Sequence, residues 1–86
     1  MWYVYLIQNE ETKDKYIGFT CNLDRRIKEH NDGKSRYTSS RPGKWVIIYY
    51  ESYRSEKDAI LRERRLKEHG KAKQELYKWV EGSMLE

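Results

Sequence analysis

Cysteine, proline and phenylalanine each occur once in this 86-residue chain. The lone Cys21 excludes an internal disulfide and fits a reducing interior. No apolar run approaches the length of a membrane-spanning helix, and the segment WYVYLI near the start is too short and too aromatic for a span or a signal sequence. A soluble, intracellular, cytoplasmic protein without membrane contact is expected. Apolar residues are also scarce, at 37%, and the mean hydropathy is −1.12, values that lean toward disorder. The aromatic content argues the other way. Three Trp and eight Tyr raise it to 14%, which points to a thin, aromatic-rich core laid on a sheet. A chain of this length makes one domain and buries only about 60% of the surface its unfolded form exposes. The domain is expected over residues 1–82, with 83–86 as a tail. A net charge of +4 favours polyanionic partners, chiefly nucleic acid.

The β-branched and aromatic content of Trp2–Ile7 and Lys15–Phe19 predicts two strands joined by the polar segment 8–14, the simplest connection being a hairpin. A turn centred near Glu11 sets Tyr5 opposite Gly18 and Ile7 opposite Tyr16, so both tyrosines share one sheet face with the glycine. Glycine inside a strand weakens it and marks a close approach to the backbone. Asn22 caps a predicted helix over 23–32, which Gly33 ends. Residues 33–44 read as a basic Gly/Ser loop, and WVIIYYES (45–52) as a third strand, its near-continuous apolar run suggesting burial on both faces. Ser55 and Asp58 form a cap for a helix that stops at Gly70. A last helix, from Lys71 to about Glu81, carries Leu76, Trp79 and Val80 on one side. The order β-β-α-β-α-α implies an α/β or α+β layer fold, with a small three-stranded, mainly antiparallel sheet flanked by helices.

On the first helix Leu23, Arg26, Ile27 and His30 share one arc. An arginine there either snorkels to the helix edge or meets a partner, since it cannot shed its charge. A lone histidine is commonly structural. On the helix after Ser55, Glu63 is the one carboxylate in the middle of the stripe Ala59, Ile60, Leu66, Lys67; its plain reading is an ion pair with a neighbouring arginine. Taken together, the two tyrosines, Arg26, His30 and Glu63 suit a phosphodiester. Arginine offers paired donors to phosphate, a lone carboxylate can hold a Mg²⁺ that keeps most of its waters, and tyrosine or histidine can take a proton from water.

YVY at 3–5, ten residues, then YIG at 16–18 resembles the signature of the GIY-YIG nuclease superfamily. YIGFTCNLDRRIKEH is similar to the second strand and first helix of that family, with Arg26 ten positions after Tyr16 and His30 four after Arg26. RSEKDAILRERRLKEHG resembles the helix that bears the family's metal-binding glutamate, which falls on Glu63. The resemblance covers about residues 1–80 and is strongest to small stand-alone members, which resemble the nuclease module of the excision-repair incision subunit. Tyr3 stands where the first tripeptide has Gly, Phe19 where some members have Lys, and the Asn that several members place after the metal helix is absent.

The resemblance implies a Mg²⁺- or Mn²⁺-dependent, weakly sequence-specific DNA endonuclease, with DNA repair or recombination as its setting. In it Glu63 holds the metal, Arg26 stabilises charge on the phosphate, Tyr5 or Tyr16 acts as base, and His30 assists the proton or binds phosphate. DNA contacts are expected from Lys34, Arg36, Tyr37, Arg41 and Lys44 in the loop, with Arg62, Arg64 and Arg65 as further basic residues. The alternatives are a nucleic-acid-binding module, or an adaptor that cuts little on its own and works with a protein partner or as a homodimer.

Overall fold

The computed structural model describes residues 1–86. Strands β1 (Trp2–Asn9) and β2 (Lys15–Thr20) precede helix α1 (Leu23–Asn31). Strand β3 (Trp45–Tyr53) and helices α2 (Glu56–Glu68) and α3 (Gly70–Trp79) follow, then a 3-10 turn, Glu81–Ser83. The three strands form one sheet in the order β2-β1-β3, antiparallel throughout. The fold is α+β in the expected β-β-α-β-α-α order, and no helix is long and apolar enough to cross a membrane.

Alternation along β1 divides the core in two. Val4 and Leu6, with Ile17 of β2, face Ala59 and Leu66 of α2 and Leu76 of α3. Tyr5 and Ile7, with Trp45 of β3, face Leu23 and Ile27 of α1. The sheet thus lies between α1 on one side and α2 with α3 on the other. Central β1 is the strand buried on both faces, not β3 as its apolar run suggested. β3 is an edge strand, and nine-residue α1 is too short to cover its outer part, so Ile47 and Tyr50 stay exposed. A bulge between Leu6 and Ile7 leaves Ile48 of β3 without a partner.

Local signals position the helices. Asn22 Oδ1 accepts the Arg25 N–H at 3.0 Å to open α1, and Ser55 Oγ accepts the Asp58 N–H at 3.3 Å to open α2. Asn31 clamps the end of α1 to the start of β3. Its Nδ2 donates to the Trp45 carbonyl at 3.1 Å, and its Oδ1 accepts the Trp45 N–H at 2.7 Å. His69, in extended conformation, separates α2 from α3, which begins at Gly70. Leu76 is buried in the core, but Trp79 is 75% exposed, its ring lying 6.2 Å from that of Tyr49 on the edge strand β3. Met84 packs on the core and the Leu85 N–H donates to Gln8 Oε1 at 2.8 Å.

The register sets Tyr5 opposite Gly18 and Ile7 opposite Tyr16, as expected. The group that approaches Gly18 is the Tyr5 phenol itself. A Cβ at Gly18 would sit 2.6 Å from Tyr5 Cζ and 3.1 Å from Cε2, and closer still to the hydroxyl. No residue other than glycine lets the ring lie across β2. A Gly18→Ala substitution is therefore expected to lower stability by roughly 1–3 kcal/mol, the usual range for overpacking. Urea titration checks this, and in a Tyr5→Leu background the same change should cost markedly less. An equal cost in both backgrounds would mean that the glycine does not serve Tyr5.

Candidate active site

Tyr5 is only 3% exposed, and a buried phenol needs a polar partner. It has one in His30, on the core-facing arc of α1. Tyr5 Oη lies 2.8 Å from His30 Nε2, and His30 Nδ1 lies 2.7 Å from Thr38 Oγ1. His30 and Thr38 are likewise buried. With the imidazole neutral, one ring nitrogen donates and the other accepts. The chain of hydrogen bonds therefore runs either from Tyr5 through His30 to Thr38 or from Thr38 to Tyr5.

Burial governs the protonation states. It pushes the Tyr5 phenol up to about 12, the Arg26 guanidinium opposing and the negative charge of Glu63 adding a little. It holds His30 down at about 4, with the positive charge of Arg26 adding to the effect and Glu29 opposing. At neutral pH the buried pair is a phenol and an uncharged imidazole.

The remaining groups stand at the rim. Arg26, half-buried, donates from Nη1 to Glu29 Oε1 at 3.1 Å and from Nη2 to Ser35 Oγ at 3.4 Å. The Tyr16 ring meets the His30 ring edge-on, with centroids 5.3 Å apart, and lies 6.4 Å from the Tyr5 ring. Tyr37 stacks on Tyr16 at 5.1 Å. Lys67 Nζ sits 4.8 Å from the Tyr16 ring centre and 3.5 Å from Glu63 Oε2. α2 packs on the other face of the sheet, so Lys67 reaches Tyr16 around the free edge of β2. Tyr5, Tyr16, Arg26 and His30 therefore form one cluster, and Glu63 adjoins it through Lys67.

Glu63 is the carboxylate available to a metal. Its side chain is 18% exposed, and its ion-pair partner is Lys67 rather than a neighbouring arginine. Nowhere in the chain do three or more His, Cys, Asp or Glu side chains come together as ligands. One carboxylate beside a phosphate site fits a hard divalent ion such as Mg²⁺, which takes one or two carboxylates and completes its shell with water and substrate phosphate.

The loop residues divide. Lys34, Arg36 and Lys44 are exposed. Tyr37 joins the cluster by stacking. Arg41 is partly committed, with Nε 3.1 Å from Asp14 Oδ2 and its guanidinium 4.6 Å from the Tyr37 ring centre. Arg62 is held by Glu51 at 3.0 Å, an acceptor it shares with the hydroxyls of Tyr49 and Tyr53, so it braces α2 against β3. Sequence reasoning missed Thr38, Ser35, Glu29 and Lys67. Lys67 was legible as the residue one turn after Glu63 and Glu29 as the acid three after Arg26, whereas nothing in a polar loop marked Ser35 and Thr38 for burial.

His30 makes the fold acid-sensitive. Its pKa near 4 lies below the ordinary 6.5, so between those values the unfolded chain binds a proton that the fold refuses. Stability present above pH 6.5 is lost as pH falls toward 4, by on the order of 3 kcal/mol. Urea titrations at pH 7 and 4 should show that much more loss in the wild type than in His30→Gln. Equal losses would mean that His30 titrates normally.

Known proteins are similar to this chain along most of its length. The family model of the GIY-YIG catalytic domain matches residues 1–78. A UPF0213 protein of Clostridium perfringens is 37% identical over 68 residues, covering 78% of this chain and 71% of the relative. One from Staphylococcus haemolyticus is 36% identical over 66 residues, covering 76% and 78%. The UPF0213 protein YazA of Bacillus subtilis is 39% identical over 64 residues, covering 72% and 63%. No solved structure matches the chain. A match that runs through all three strands and both long helices, on a fold with the expected order of elements, makes this chain a member of the GIY-YIG catalytic-domain family, whose domain is generally a nuclease module.

Proposed function

We propose that the chain is a metal-dependent endonuclease that hydrolyses phosphodiester bonds in DNA with little sequence preference. The observation that carries this reading is the setting of Tyr16. It lies at the rim, against the His30 ring and under Lys67, with Arg26 and Glu63 contributed by helices on opposite faces of the sheet.

A phosphate seated over Tyr16 meets the Arg26 guanidinium, whose remaining N–H groups stabilise the charge that grows on the phosphate oxygens. Tyr16, ionised to the phenolate with its own proton given up to solvent at the rim, orients the attacking water and takes its proton. Tyr5 is unsuited to that task, because ionising a phenol with a pKa near 12 at pH 7 costs roughly 7 kcal/mol. Its work is to hold His30, and His30, uncharged at neutral pH, keeps a nitrogen able to accept a proton along the Tyr5–Thr38 chain. Glu63 would hold Mg²⁺ or Mn²⁺, and such an ion polarises the phosphate and makes a bound water more acidic. Lys67, the more exposed member of the pair, is the group that such an ion would displace from Glu63.

Exposed Lys34, Arg36 and Lys44, together with Arg41, supply contacts to the DNA backbone. Contacts of that kind position a strand without reading its sequence. An activity of this type suits DNA repair or recombination inside the cell. A second reading, a DNA-binding module without turnover, draws on the Glu63–Lys67 pair, which keeps the carboxylate engaged.

Cleavage of labelled single-stranded, duplex, flap and branched DNA, with Mg²⁺, Mn²⁺ or chelator, separates the two. The wild type should cut only with metal. Glu63→Gln and Arg26→Ala should each lose about 10²-fold or more in rate, with Glu63→Gln folded and binding DNA normally. Binding in chelator with no cutting under any condition would favour the module, and unfolding of Glu63→Gln would make Glu63 a structural ion-pair partner.

A further inference from the structure

Beside Tyr16 a groove of about 240 Å³ opens along the free edge of β2, toward α2 and α3. Three tyrosines, Tyr16, Tyr37 and Tyr77, and three lysines, Lys15, Lys67 and Lys73, make nearly all of its wall, with no acidic side chain among them. The chain carries 14 acidic residues, so a wall with none is a selective arrangement. Lys15 and Lys73 make no ion pair. Lys15 rests instead over the Tyr77 ring, 5.3 Å from its centre, as Lys67 rests over Tyr16 and Arg41 over Tyr37.

We propose that this groove is the track of the DNA strand on one side of the bond cut at Tyr16, with phosphates on Lys15 and Lys73 and a base or sugar against Tyr37 and Tyr77. The proposal rests on the hydrolase reading above and adds α3 to the substrate site. The lysines call for an anion and the rings for a flat apolar face, and a nucleotide strand supplies both at close spacing. An acidic peptide would meet the lysines and leave the three rings unused. The cation–ring pairs also describe how the track opens. An ammonium over a half-buried tyrosine ring is held more weakly than one bonded to phosphate. An entering phosphate therefore draws Lys15 from Tyr77 and bares the ring for the next nucleotide.

The test is binding of a fluorescein-labelled single-stranded oligonucleotide in chelator, read by anisotropy across a salt series. Lys15→Glu with Lys73→Glu is compared with Lys57→Glu with Lys78→Glu, an equal charge change at exposed helix positions outside the groove. Circular dichroism and thermal midpoints check that both variants fold. The groove variant should bind at least about tenfold more weakly at low salt, and its log–log salt slope should fall by about 1.4, at about 0.7 per lost phosphate contact. The control should change binding by less than about threefold. Equal weakening in both variants, or unchanged binding in the groove variant, overturns the track. Wild-type cleavage measured in parallel keeps the two readings apart. Lost binding in the groove variant with a wild type that never cuts removes the hydrolase and leaves the track. A wild type that cuts beside a groove variant that binds and cuts normally removes the track alone.

Discussion

The Tyr5 ring lying across the backbone of Gly18 is the contact on which the site depends. It sits where β1 and β2 pair, so the register that brings Tyr5 opposite Gly18 also brings Tyr16 opposite Ile7, on the same face. A slip of one residue would turn Tyr16 to the other side of the sheet. With a side chain at position 18, the Tyr5 hydroxyl could not stay where it meets His30. His30 in turn holds Thr38, which fixes the middle of the 33–44 segment, and Arg26 reaches that segment through Ser35. One missing side chain thus organises two strands, a helix and a loop around Tyr16.

The site separates charge by depth. Tyr5, His30 and Thr38 are buried and neutral, and they satisfy one another. Arg26, Glu29, Glu63 and Lys67 carry the charge at the rim, where water and a phosphate can reach them. A buried charge would carry a large desolvation cost, which is why burial moves both Tyr5 and His30 toward their neutral forms. Two tyrosines that look alike in a motif therefore differ in chemistry. The inner one is a fixed hydrogen-bonding group, and the outer one stands half-buried at the rim between Tyr37 and the Lys67 ammonium.

Much of this was legible in the sequence because it rested on periodicity. Hairpin register, the 26/30 spacing on α1 and the position of Glu63 on α2 follow from strand alternation and helical pitch. The family resemblance and the family match meet on the same stretch of chain. What could not be read depended on neighbours distant in sequence. The run WVIIYYES looks like a central strand, yet strand order is set by which edge of β1 each strand joins, and β3 took an outer one. Trp79 shares an arc with Leu76, but its ring reaches only Tyr49 on the edge strand β3 and stays exposed. Arg62 looked free to bind DNA until β3 brought Glu51 beside it. Ser35 and Thr38 lie in a polar loop, and only the folded α1 gives them buried partners.

The division of labour between the two tyrosines is the central claim, and single-turnover cleavage by Tyr16→Phe and Tyr5→Phe in saturating Mg²⁺ tests it most directly. Tyr5→Phe keeps the ring over Gly18 and loses the hydroxyl's bond to His30 and its contact with the Arg26 guanidinium, so its rate should fall by about tenfold or less. Tyr16→Phe loses the working hydroxyl and should fall by about 10²-fold or more. The reverse order, with Tyr5→Phe the more damaged enzyme and its fold intact, would make the buried phenol the base and contradict the account.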